Sequence, residues 1–167
     1  ADGHPDVYPL QVASKVLSDG RSSRIYRSLV YEKQIAATAY GGGNITEDPN
    51  LFFAVAVVQA GHTPEEAERA LLDELDRLRN EPVSERELQR VRNQLARDYI
   101  LGRESNKGKA AQLAHAVVMH KGDASAADAE FDTFMAMTAD DVQRVARVYF
   151  RGENRTILTI LPSQAKQ

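Results

Sequence analysis

The chain has 167 residues, no cysteine, 43% hydrophobic and 27% charged residues, and a net charge of −3 from 21 Lys plus Arg against 24 Asp plus Glu. That length suits one domain able to bury roughly two thirds of its unfolded surface, and the composition excludes a disordered chain. The charge balance leaves no basic footprint for nucleic acid, the lack of cysteine excludes disulfides, thiolate metal sites and a cysteine nucleophile, and no apolar run approaches the roughly 18 residues of a membrane span.

Residues 1–9 are polar and contain proline, with no apolar core of a signal peptide. They read as a flexible lead-in, and the start at Ala1-Asp2-Gly3 reads as that of a piece of a longer polypeptide. Apolar residues at Leu10, Val12, Ala13, Val16 and Leu17 have helical spacing, and Asp19-Gly20 ends that helix. A second short helix is predicted over Ser23 to Tyr31, with Ile25 and Leu29 inward. Two strands follow, Ile35 to Tyr40 and Leu51 to Gln59, joined by Gly41-Gly42-Gly43-Asn44 and a polar turn at Glu47-Asp48-Pro49-Asn50. The second run is apolar nearly throughout, which predicts a strand covered on both faces. Three glycines near a strand end suggest a bulge or a close backbone approach.

Thr63-Pro64-Glu65-Glu66 has the cap, the proline and the glutamate of a helix start, and the helix should run to about Arg79. Ser84-Glu85-Arg86-Glu87 is a second capping box, opening a helix with Leu88, Val91, Leu95 and Tyr99 on one face. Further helices are predicted over Ser105 to His120 and Ala124 to Met135. Thr138-Ala139-Asp140-Asp141 starts a last one carrying Val142, Val145, Val148 and Tyr149. Thr156 to Leu161 is a β-prone run ended by Pro162, and residues 162–167 form a polar, flexible end. The order predicts an α+β domain over residues 1–167, with helices packed on one side of a small, mainly antiparallel sheet. Three strands are few for so many helices, which points to a further strand upstream of residue 1.

No complete active site emerges from the residues. His115 and His120 are five positions apart, about 140° around a helix, and cannot converge on one ion. Neither H-e-x-x-H spacing nor its inverse occurs, so no metal ligands are assigned among His4, His62, His115 and His120. No G-x-S-x-G nucleophile elbow is present, and Ser22-Ser23 reads as a helix cap. The triple glycine lacks the Gly-Lys-Ser/Thr and the helix of a phosphate loop.

The stretch Ser22-Ser23-Arg24-Ile25-Tyr26-Arg27-Ser28-Leu29-Val30-Tyr31-Glu32-Lys33-Gln34-Ile35-Ala36 resembles a signature of zinc metallopeptidases of the insulinase/pitrilysin family, which includes the mitochondrial-processing-peptidase type. Glu81-Pro82-Val83-Ser84-Glu85-Arg86-Glu87-Leu88 and Thr138-Ala139-Asp140-Asp141-Val142 are similar to later family segments, in the same order. The resemblance implies a C-terminal domain that does not bind zinc, cut from a multidomain peptidase whose α+β domains enclose a chamber. An N-terminal domain of such a parent carries zinc and its H-x-x-E-H ligands. A later domain supplies an Arg and a Tyr that hold the substrate peptide. Those clamp positions fall on Val30 and Ala37 here; Arg27 and Tyr40 are near, but reaching them breaks the match at Ser22-Ser23-Arg24. The resemblance therefore implies no catalytic, substrate-binding or metal residue in this chain. Its parent would be a soluble zinc endopeptidase or an inactive structural homologue, and its partners sister domains or a partner subunit; the compartment is left open, with the periplasm and secretion as the options. An unrelated protein-interaction module is the remaining alternative. The matched residues Ser22, Ser23, Arg24 and Tyr26 have a structural reading, with Arg24 paired to a carboxylate and Tyr26 beneath the sheet. They also have a functional one, contact with a partner or substrate.

Overall fold

A computed structural model describes residues 4–43 and 50–162. Helix α1, Val7–Ser18, begins three residues before the predicted spacing does, because Val7 and Pro9 are buried along with Val12, Ala13, Val16 and Leu17. The predicted lead-in is thus core from Val7 onward. Residues 1–3, 44–49 and 163–167, which carry most of the predicted polar turn and flexible ends, lie outside the described residues.

The second predicted helix is a composite. One α turn, α2, covers Arg24–Tyr26 and runs directly into a π-helical turn over Arg27–Glu32. This wider turn buries Ser28 and Leu29. Gln34, at φ 53°, then takes a left-handed conformation and redirects the chain into strand β1, Ala36–Gly43. Strand β2, Phe52–Val58, pairs antiparallel with it. Helices α3 (Pro64–Asn80), α4 (Glu85–Gly102), α5 (Asn106–Met119), α6 (Ala126–Ala136) and α7 (Ala139–Tyr149) complete the fold. Capping boxes at Thr63/Glu66, Ser84/Glu87 and Thr138/Asp141 start α3, α4 and α7. Each satisfies two otherwise orphaned amides of the first turn.

The hairpin has two unequal faces. Paired residues share a face, so Ala39, Gly41, Phe52, Ala54 and Ala56 form one side and Thr38, Tyr40, Gly42, Phe53, Val55 and Val57 the other. The first side lies against α1 and α3 and joins a core built from Val12, Val16, Leu17, Ile25, Leu29, Leu78, Leu88, Val91 and Val142. The second is open: Tyr40, Phe53 and Val57 remain 42–49% exposed. This corrects the expectation of a doubly covered strand. Among the described residues, the second face of β2 leaves Phe53 and Val57 exposed. Gly41 shows the close approach suggested by the triple glycine, since a Cβ there would sit 2.5 Å from the Phe53 carbonyl oxygen. The irregularity lies elsewhere, between Ala36 and Thr38.

Thr156 to Leu161 does not form a third strand. Among the described residues the sheet has two strands, and the run after the 3-10 turn at Gly152–Asn154 lies without a ladder partner. β propensity alone does not make a strand, because the ladder hydrogen bonds need a neighbouring chain.

Candidate functional site

The segment Ser22–Ala36 and the start of α4 meet in space. Arg24 is buried and donates from Nε to Glu87 Oε1 at 2.7 Å and from Nη2 to Oε2 at 3.0 Å. Glu87 is also the glutamate of the α4 capping box: its Oε2 accepts from the Ser84 amide at 3.0 Å and the Ser84 hydroxyl at 2.7 Å. Burial pushes the Glu87 carboxyl up, but the Arg24 and Ser84 hydrogen bonds outweigh it and hold the group at about 2. One carboxylate therefore caps a helix and neutralises a buried guanidinium. Three residues along, Arg90 donates to the carbonyls of Lys15, Val16 and Asp19 and to the Ser22 hydroxyl, at 3.1–3.5 Å. These carbonyls lie at the C-terminal end of α1, where helical donors run out, although that of Lys15 also accepts from the Asp19 amide. The spacing Glu87/Arg90 puts both groups on one face of α4, where they tie it to the α1–α2 corner.

Ser22 thus serves as an acceptor for Arg90 rather than as a cap. Ser23 does occupy the N-cap position of α2, yet its side chain makes no capping bond. Its hydroxyl is fully buried and has no hydrogen-bond partner among the described residues, because the cap position places it in the packed interior. Tyr26 is half-buried and meets Tyr31 edge-on, with centroids 5.6 Å apart.

The two clamp positions differ in setting. Val30 packs partly buried against the main core. Ala37 is exposed and falls in the register shift between Ala36 and Thr38, where a bulge re-aims the side chain. Neither side chain can donate a hydrogen bond to a peptide. Further along the hairpin, its open face presents Tyr40 and Phe53, whose rings meet edge-on at 6.4 Å.

The residues do not fit a zinc site. The histidines are dispersed, His62 beside Glu66 at 3.1 Å and His120 beside Glu130 at 3.0 Å. Among the described residues no group of three or more His, Asp or Glu side chains could hold an ion. Also among those residues, no helix is long and apolar enough to cross a membrane.

Comparison with known proteins is specific. The family model described as the peptidase M16 inactive domain matches residues 1–95. The chain is 24% identical over 159 residues to the zinc protease PqqE of Helicobacter pylori (strain ATCC 700392 / 26695), covering 95% of this chain and 35% of that protein. It therefore spans about a third of the length of this curated relative. A crystal structure of a candidate zinc protease from Bordetella pertussis Tohama I superposes with a TM-score of 0.79 at 30% identity, over 92% of this chain and 84% of that one. The inactive peptidase domain of a candidate zinc protease from Bordetella parapertussis superposes at 0.84 with 28% identity, over 99% and 88%.

Proposed function

The chain belongs to the peptidase M16 inactive-domain family, and from that premise we propose that it is an auxiliary, substrate-chamber domain of a zinc-dependent endopeptidase. It supplies wall rather than chemistry. Zinc and the water it activates belong to another domain of the same polypeptide or to a partner subunit, as the name of the Helicobacter relative suggests. Sister domains pack against this one, and the peptide substrate lies between them.

The observation that carries this reading is the hairpin with one face packed under helices and the other apolar and open. Tyr40, Phe53, Val55 and Val57 line a surface that an extended peptide can lie across, with no residue there able to cut it. Without an Arg or a Tyr at Val30 and Ala37, contact is apolar and tolerant of sequence. The test is hydrolysis of a fluorogenic peptide by the longer polypeptide carrying Tyr40→Ala and Phe53→Ala together. Both side chains are over 40% exposed, so the fold and the zinc content should stay intact. KM should rise roughly 5-fold, the scale of a lost apolar contact. Unchanged KM and kcat would remove this face from the substrate path.

A further inference from the structure

One face of α4 carries a row of cations and amides. Arg86, Gln89, Arg90, Asn93, Gln94 and Arg97 recur three and four positions apart, so they are neighbours on the helix surface. Together they line an open groove of about 540 Å³. Three are guanidiniums, three are carboxamides, and none is acidic or apolar. On a chain of net charge −3, this groove is a local reversal of sign.

The neighbouring carboxylates are engaged elsewhere. Glu87 is held by the buried Arg24, and Asp19 pairs with Lys15 at 2.9 Å. Asp98, which Arg97 contacts at 2.8 Å, is shared with Lys15 at 3.1 Å. Arg90 donates only to neutral groups, three backbone carbonyls and the Ser22 hydroxyl. The Arg86 side chain is exposed and has no hydrogen bond or ion pair among the described residues. Positive charge along this face is therefore incompletely balanced, the condition under which an incoming carboxylate is drawn and held.

Shape and chemistry select the ligand. From Arg86 to Arg97 the helix rises about 16 Å, the reach of about five residues of extended chain. Arg86 and Arg90 are separated by about 6 Å along the axis, close to the roughly 6.8 Å between alternate residues of a strand. The carboxamides between the arginines both donate and accept, which suits the N–H and C=O groups of a peptide. Gln94 Oε1 is buried and has no hydrogen-bond partner among the described residues. A turn of that side chain brings the oxygen to a peptide N–H, whereas a phosphate has no such donor to offer.

We propose that this face of α4 is a docking groove for an extended acidic peptide segment of a partner polypeptide, its carboxylates on Arg86, Arg90 and Arg97 and its backbone on the carboxamides. α4 packs on α1, which in turn packs on the hairpin, so the groove is separate from the open hairpin face. The proposal needs neither zinc nor hydrolysis, and a parent lacking both leaves it standing.

The test titrates the 167-residue chain into a fluorescent peptide alternating Glu and Ala, with a Gln/Ala peptide beside it, and reads anisotropy at low salt. The Glu peptide should bind and the Gln peptide should not. Arg86→Gln combined with Arg97→Gln should weaken binding about 5-fold, the scale of two exposed ion pairs. Both side chains are exposed, so melting followed by circular dichroism should be unchanged. Arg69→Gln, which removes an exposed cation of α3, should leave binding as it was. An equal loss in the Arg69 variant reduces the effect to net charge and overturns the proposal, as does absence of binding. Displacement by pyrophosphate or an oligonucleotide at lower concentration than by unlabelled Glu peptide assigns the groove to phosphates and overturns it. Self-association of the chain without peptide, lost in the double variant, assigns the groove to a second copy and overturns it too.

Discussion

Arg24 and Glu87, 63 residues apart, form a two-bond ion pair that joins two sequence motifs into one corner. The guanidinium comes from the Ser-Ser-Arg stretch and the carboxylate from the capping box of α4. With the Arg24 side chain 6% exposed and that of Glu87 26%, the pair is buried on one side only. Removing one partner strands a charge, so Glu87→Ala should cost about 3 kcal/mol in chemical denaturation, near the lower end for buried pairs. Arg24→Lys should recover little of the loss from Arg24→Ala, because an ammonium cannot make the two parallel bonds.

The same pair sets an acid limit. Glu87 sits at about 2 against an ordinary 4.5. A carboxyl depressed on folding contributes stability that is complete above its unfolded value and is lost as pH falls through the folded one. Stability should therefore decline between about pH 4.5 and 2, and the decline should be shallower in Glu87→Gln. Denaturant midpoints across that range check it; identical slopes for both proteins contradict it.

Gln34 holds the turn into β1 at φ 53°, where a side chain costs about 1–2 kcal/mol that glycine does not. Glycine's greater freedom when unfolded returns part of that difference. Gln34→Gly should therefore stabilise by about 0.5–1 kcal/mol, and Gln34→Val should destabilise, as read by thermal melting.

Gly108, in the first turn of α5, would place a Cβ 2.1 Å from the Gly102 carbonyl oxygen at the end of α4. Glycine to alanine in a helix ordinarily gains about 1 kcal/mol. Here the sign should reverse, with Gly108→Ala losing stability and loosening α5, whose only buried residue is Ala116. Proteolysis of the α4–α5 elbow gives an independent readout.

Local signals were the most legible. The three capping boxes are set within four residues each, so the starts of α3, α4 and α7 could be read directly. The resemblance of Ser22–Ala36 to metallopeptidases likewise holds, since that family's model matches over half the chain. What depends on distant or absent partners could not be read. A carboxylate partner for Arg24 could be expected, but nothing nearby in sequence points to Glu87; the one clue was that Glu87 already had a capping role. The π turn over Arg27–Glu32 is hidden because the apolar spacing of Ile25 and Leu29 suits an α-helix equally well. Thr156–Leu161 reads as a strand by propensity, but among the described residues it has no ladder partner. The run of β2 shows two apolar faces without saying what covers the second.

The most direct test of the auxiliary role is zinc content and peptide hydrolysis, measured on the longer polypeptide, together with any partner subunit, and on this 167-residue chain side by side. The account predicts about one zinc and hydrolysis for the longer polypeptide or its assembly, and neither for the chain alone. Hydrolysis by the isolated chain, or a longer polypeptide that is metal-free and inert even with its partner, would contradict it.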